Sequence, residues 1–364
     1  MSAQTLRTLP LLASQLQSEL DQAPFSAPGV LFQRLEGALV RCSACAHRCV
    51  IASGARGACG VRRNHAGTLL VPANHVARSY VRAVETNTVF HVLPGSRSLT
   101  FGMFGCDLRC PYCHNHRVSQ ALRDGEHEEH LTPSTALQLA RRAEVSGCSV
   151  VCAAYNEPLV SAEWTRSVFA AARSRGLVTA LISDGHSTPE AIELLRGVTD
   201  VLRVDFKAHD EASYRKLGGR LQPVLDAIAL GRSLGYWVEV VTLVVPGLNH
   251  DERLLARMGA MVREIDPAIP WHLNGFVPRY RMRDAAPANP RLLTLAAGSA
   301  YVAGSRYVYV GNTQAAAELA HTRCPECRNV VIRRHEYEAK ESALIGGRCP
   351  YCSHALDGLW RPPR

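Results

Sequence analysis

Eleven of the thirteen cysteines in this 364-residue chain fall into three tight groups. Cys42, Cys45, Cys49 and Cys59 form the first, Cys106, Cys110 and Cys113 the second, and Cys324, Cys327, Cys349 and Cys352 the third. Thiols spaced this way fold a chain around metal, so each group constrains local structure before any hydrophobic pattern is considered. The apolar stretch within residues 5–13 is too short, and too soon interrupted by polar residues, for an export signal or a membrane span. The expected compartment is therefore the reducing cytoplasm, with no membrane partner, where grouped cysteines imply metal rather than disulfides. Cys148 and Cys152 lie in the apolar run 148–154 and read as buried, inert thiols.

With 47% hydrophobic residues, the chain is long enough for one large α/β core and one or two small modules. Its net charge of +9 is scattered, and lysine contributes only Lys207, Lys216 and Lys340. Without a basic run, a recognition helix or a stacking motif, nucleic acid is not an expected partner.

From about 97 to 312, short apolar runs at 99–104, 149–154, 178–183, 201–206, 237–245 and 271–276 alternate with amphipathic stretches at 134–146, 162–175, 189–196, 224–234, 252–265 and 291–304. Thr188-Pro189-Glu190 supplies an N-cap and an N1 proline, and Gly147, Gly176 and Gly235 stand where helices should stop. Six such repeats predict a parallel sheet covered by helices, closed as a (β/α)6 partial TIM-type barrel, with 307–310 as an extra strand. The expected organisation is a helical or irregular lead (1–40), an N-terminal Cys-rich module with extended segments (41–95), the barrel (96–312) and a C-terminal zinc-ribbon-like module (313–364). The histidine- and glutamate-rich run 125–130 reads as a charged surface loop.

In parallel β/α folds the ligand sits at the C-terminal strand ends. The polar and Gly/Pro segments of this chain follow its apolar runs: the central cysteines after the first, Tyr155-Asn156-Glu157-Pro158 after the second, Ser183-Asp184-Gly185-His186 after the third, Asp205-Phe206-Lys207 at the fourth, and Pro246-Gly247-Leu248-Asn249 after the fifth. Asp205 and Lys207 share a strand face by period two, as a paired ion site or as a structural salt bridge.

The C-x3-C-x2-C spacing of Cys106, Cys110 and Cys113 can hold three irons of a cube and leave the fourth open to a ligand. This loop resembles the signature of the radical S-adenosylmethionine (SAM) enzymes. With this loop, the segments 91–96, 155–158, 240–249, 270–272 and 307–312 make residues from about 41 to 360 similar to the radical SAM enzymes of the AmmeMemoRadiSam system, relatives of the pyruvate formate-lyase activating enzymes. The resemblance implies a [4Fe-4S] cluster on Cys106, Cys110 and Cys113, with SAM as cofactor. It implies Glu157 as acceptor for the SAM amino group, Ser183, Asp184 and Gly185 beside its ribose or carboxylate, and Tyr112, Asp205 and Lys207 in the same pocket. It also implies reductive cleavage of SAM to a 5′-deoxyadenosyl radical that abstracts hydrogen from a substrate, a protein or peptide by analogy with activating enzymes, and an electron donor such as flavodoxin or ferredoxin. Asp184 stands where relatives usually carry Asn, and Phe276-Val277-Pro278 where they often carry His, so substrate scope does not transfer.

Cys324-x2-Cys327 and Cys349-x2-Cys352 have zinc-ribbon spacing, with 330–334 and 343–347 as expected ribbon strands. Cys42, Cys45, Cys49 and Cys59 can close around Zn²⁺ or hold a second cluster; spacing does not choose, and zinc is the expectation carried forward. His47 is expected at the surface rather than as a ligand. The competing reading is a catalytically inactive multi-zinc scaffold or nucleic-acid-binding protein, and the intact triad and Glu157 oppose it.

Overall fold

The structure, a computed structural model, describes residues 13–125, 131–335 and 337–362. Residues 126–130 of the run 125–130, read above as a charged surface loop, and the first twelve residues lie outside the described residues. The apolar runs form one eight-stranded sheet in chain order: β1 (Arg78–Ala83), β2 (Arg97–Gly102), β3 (Val150–Ala153), β4 (Val178–Ser183), β5 (Val201–Asp205), β6 (Trp237–Val244), β7 (Trp271–Gly275) and β8 (Val308–Gly311). Strands β2 to β8 are parallel, and β1 lies antiparallel to β2 at the edge. All six expected strands are present, and 307–310 contributes the seventh parallel strand, β8. Strand β4 is buried at every position, the signature of a sheet covered on both faces.

The covering helices are α1 (Ala136–Val145), α2 (Ala162–Arg173), α3 (Pro189–Leu194), α4 (Glu211–Lys216), α5 (Leu221–Ser233), α6 (Glu252–Ile265) and α7 (Pro290–Val302). Their starts follow local chemistry. Thr135 and Gln138 form a capping box on α1, and Thr188 caps α3 ahead of Pro189. Among the described residues, no helix is long and apolar enough to cross a membrane.

The N-terminal segment adds two small sheets. Phe32–Arg34, Val40–Cys42 and Val50–Ile51 form one, and Ser26–Pro28, Thr68–Pro72 and Arg63–His65 the other, so residues before 41 share sheets with the first cysteine group. A buried bidentate pair fastens this layer to α2: Arg62 donates to Glu163 at 2.8 and 2.7 Å, while Glu163 also accepts the Val30 and Leu31 amides.

The C-terminal module pairs Thr322–Arg323, Val330–His335 and Glu338–Ser342. The second ribbon strand is therefore Glu338–Ser342 and not 343–347. Gly346 and Gly347 take positive φ there, and Ile345 and Arg348 close a turn that presents Cys349. The module docks beneath the sheet: Arg334 lies 4.1 Å over the Phe90 ring and donates to the Phe90 carbonyl at 2.8 Å, and Leu359 bonds His91 and Leu93 through its backbone.

Candidate functional site

Every parallel strand contributes to one cavity of about 300 Å³ at the C-terminal end of the sheet. Its wall includes Cys106, Cys110, Tyr112 and Cys113 from the loop after β2, Glu157 after β3, Ser183 and Asp184 at the end of β4, and Asp205 and Lys207 from β5. These residues, far apart in sequence, meet as the alternation of strands and polar ends implied. No fourth cysteine lines the cavity among the described residues, so three thiols face it with room for a further ligand.

The cysteine loop is held from several sides. Gly105 has φ 92°, and a β-carbon there would lie 2.7 Å from Val61 Cγ1 and 2.9 Å from the Cys59 carbonyl. Asn156 donates to the Gly105 carbonyl at 3.0 Å and accepts the Met103 amide at 3.0 Å. Arg123 donates to the carbonyls of Cys106, Leu108 and Ala58. Cys113 Sγ lies 3.2 Å from Ser119 Oγ. Burial, then the nearby Asp184 charge, pushes the Cys106 thiol well up; burial takes Cys110 to about 12, with Lys207 opposing. Thiols in this state must lose protons when they ligate metal.

Glu157 is 2% exposed. Its carboxylate accepts Ser183 Oγ at 3.0 and 3.1 Å, the Asp184 amide at 2.7 Å and the Leu159 amide at 2.9 Å. It thus ties the ends of β3 and β4 together. Burial, followed by the Asp184 and Asp107 charges, raises its pKa well above the usual carboxylate range, and burial with Asp107 raises Asp184 to about 7. Lys207 Nζ lies 3.1 Å from Asp205, so the pair expected from period two is formed. Arg203, one step earlier on the same face, also donates to Asp205. The alternation that selected 205 and 207 contains Arg203 as well.

Gly185 does not line the cavity. It has φ 75°, and a β-carbon would lie 2.7 Å from Val204 and 3.0 Å from Val224, so its missing side chain serves packing beneath the site. Sequence reasoning also missed the Asp107–His186 pair, 2.8 Å apart and buried. Burial works against the Asp107 carboxylate, but the His186 hydrogen bond and charge hold it low. His47, expected at the surface, is half-buried, with Nε2 3.2 Å from the Asp107 carbonyl and its ring 4.8 Å from that of His186.

The outer cysteine groups differ in geometry. Cys324, Cys327, Cys349 and Cys352 place all four sulfurs within 4.8 Å of one another, with 3.6 Å between Cys324 and Cys352 and between Cys327 and Cys349. Tetrahedral ligation at a Zn–S distance of about 2.3 Å requires sulfurs roughly 3.8 Å apart, which this set fits. No three sulfurs of Cys42, Cys45, Cys49 and Cys59 come within 4.8 Å. They nonetheless share one hairpin and its covering turn: Cys42 N–H bonds the Cys49 carbonyl at 2.9 Å, and the Ala58 amide, beside Cys59, donates to Cys49 Sγ at 3.3 Å.

Comparison with known proteins gives this geometry a context. Residues 101–258 match the radical SAM superfamily. The chain is 30% identical over 332 residues to the uncharacterized protein MJ0808 of Methanocaldococcus jannaschii, covering 90% of this chain and 98% of that protein. It is 28% identical over 179 residues to pyruvate formate-lyase 1-activating enzyme of Escherichia coli K12, covering 47% of this chain and 70% of that enzyme. Among solved structures, a radical SAM methyltransferase from Sphaerobacter thermophilus aligns over 84% of both chains at 13% identity and a TM-score of 0.46. The matched region carries the three cavity-facing thiols, Glu157 and the β4 turn: the protein belongs to one family with MJ0808 and is a radical SAM enzyme, homologous to the pyruvate formate-lyase activating enzymes.

Proposed function

We propose that Cys106, Cys110 and Cys113 hold a [4Fe-4S] cluster whose open iron binds SAM, and that the enzyme modifies a protein or peptide, as activating enzymes do. The observation that carries this reading is the convergence, on one cavity, of three thiols without a fourth, a buried carboxylate and a lysine. The chemistry the bound cluster supplies is one electron, delivered by a donor such as flavodoxin or ferredoxin, that cleaves SAM to methionine and a 5′-deoxyadenosyl radical able to abstract hydrogen. The remaining work belongs to the chain. Glu157 orients the Ser183–Asp184 turn through the bonds given above and, with about four acceptor positions on a carboxylate, keeps one for the SAM ammonium. Asp184 reaches Cys106 Sγ at 3.8 Å and supplies a second carboxylate beside it. Lys207, fixed by Asp205, contributes a cation next to the thiolates. Tyr112 is buried in the wall and excludes water from the triad.

Within this reading the chain joins the AmmeMemoRadiSam group, works in the cytoplasm, and carries structural Zn²⁺ on Cys324, Cys327, Cys349 and Cys352. Anaerobic reconstitution with iron and sulfide tests the central claim. A brown protein that converts SAM to 5′-deoxyadenosine under dithionite, with the activity abolished in Cys110→Ala, is expected. A reconstituted protein that binds no iron at the triad overturns it.

A further inference from the structure

The three cysteine groups divide by geometry into two kinds. One set converges as tetrahedral zinc requires, with its four sulfurs inside 4.8 Å. The triad does not: no three of its atoms form such a group on their own, in keeping with thiolates held apart by the body of a cube. The first set, Cys42, Cys45, Cys49 and Cys59, follows the triad and not the zinc set. Cys42, Cys45 and Cys59 are each about 5–6% exposed, and Cys49 is half-buried, so the four thiols occupy a shielded place without meeting at a point. We infer that Cys42, Cys45, Cys49 and Cys59 hold a second, fully protein-ligated iron–sulfur cluster rather than zinc.

Two further observations fit this assignment. The backbone around the set is closely drawn in: the Gly57 amide bonds the Arg62 carbonyl at 2.9 Å, and the Gly60 amide bonds the Gly57 carbonyl at 3.0 Å, closing the turn that carries Cys59. The set is also stitched directly to the catalytic loop. Gly105 lies against the Cys59 carbonyl, and Arg123 bridges the carbonyls of Ala58 and Cys106. His47, from the same hairpin, reaches the Asp107 carbonyl. Two clusters so placed are neighbours through a few residues, which makes the first a natural store for an electron bound for the second.

This inference does not rest on SAM cleavage. Its test is metal and sulfide analysis of the anaerobically reconstituted full chain, beside a variant carrying Cys106→Ala, Cys110→Ala and Cys113→Ala. For two cubes and one zinc, the unsubstituted protein should contain about eight iron, about eight sulfide and about one zinc per chain. The triad variant should keep about four iron and, after dithionite reduction, a cluster signal in electron paramagnetic resonance. About four iron with about two zinc in the unsubstituted protein, and none of the iron retained in the triad variant, overturns the assignment. Because the count on the unsubstituted chain is decisive alone, poor folding of the variant does not rescue the proposal. An inactive protein with the full iron count would leave this site standing and count against the proposed function instead.

Discussion

Asn156 and Gly105 are joined across two strand ends: the Asn156 side-chain amide donates to the Gly105 carbonyl at 3.0 Å, and its oxygen accepts the Met103 amide on the other side of the loop. One side chain thus satisfies both flanks of the segment leading into Cys106. Asn156→Ala leaves two backbone groups without those partners, a loss of about 1–3 kcal/mol. Expected outcomes are a lower thermal midpoint and reduced iron retention at the triad, read by absorbance during gel filtration. Unchanged iron retention would show that Arg123 and Ser119 suffice to hold the loop.

Gly185→Ala should destabilise without removing any polar group. The added methyl meets Val204 at 2.7 Å while the backbone stays at φ 75°. Overpacking and left-handed strain together cost about 2–4 kcal/mol. A urea midpoint shifted down, with the same slope, is the expected result. If the variant were as stable as the parent but poor in SAM binding, Gly185 would contact the cofactor after all.

The Arg62–Glu163 pair joins the N-terminal layer to α2, and Arg62 is 1% exposed. Arg62→Met strands Glu163 as a buried carboxylate, at a cost of about 3–5 kcal/mol. The double variant Arg62→Met with Glu163→Gln should recover part of that loss, since the uncompensated charge is gone. Thermal melts of the single and double variants measure the difference.

Acid should unfold the protein in a window set by two buried histidines. Burial lowers both His75 and His91 to about 4, against an ordinary value of 6.5. Between these values the unfolded chain takes up protons that the fold refuses. Stability from these groups is therefore whole above pH 6.5 and is lost as pH falls toward 4, by up to about 1.4 kcal/mol per pH unit for each histidine. Urea midpoints at pH 7.5 and 5.0 should differ more in the parent than in His75→Asn. Equal differences would remove His75 from this account.

The parallel strands were legible because a sheet buried on both faces demands continuous apolar runs, and β4 is buried throughout. Strand β1 was harder to read. Arg78, Tyr80 and Arg82 sit on an edge with solvent beside it, so no apolar run marks it. The expected strand at 343–347 failed for a local reason, the positive φ of Gly346 and Gly347. At the site, residue types at strand ends gave the lining, whereas Asp107–His186 is a contact across 79 positions that no local pattern encodes. Gly185 stands beside SAM only by the family resemblance; in the fold, the neighbour that approaches it is Val204.

The docking of Leu359 onto His91 and Leu93 has a consequence for biosynthesis. The segment that precedes the first parallel strand finds its partner only beyond the last parallel strand, in residues made after the whole sheet. Glu239, buried with Phe90, His91, Trp237 and His272 around it, belongs to the same seam. Domains otherwise tend to fold from the N-terminus as they are made. Here the floor of the sheet must wait until Leu359 has been made, so a chain truncated before Leu359 would carry its cysteine loops on an unfinished base.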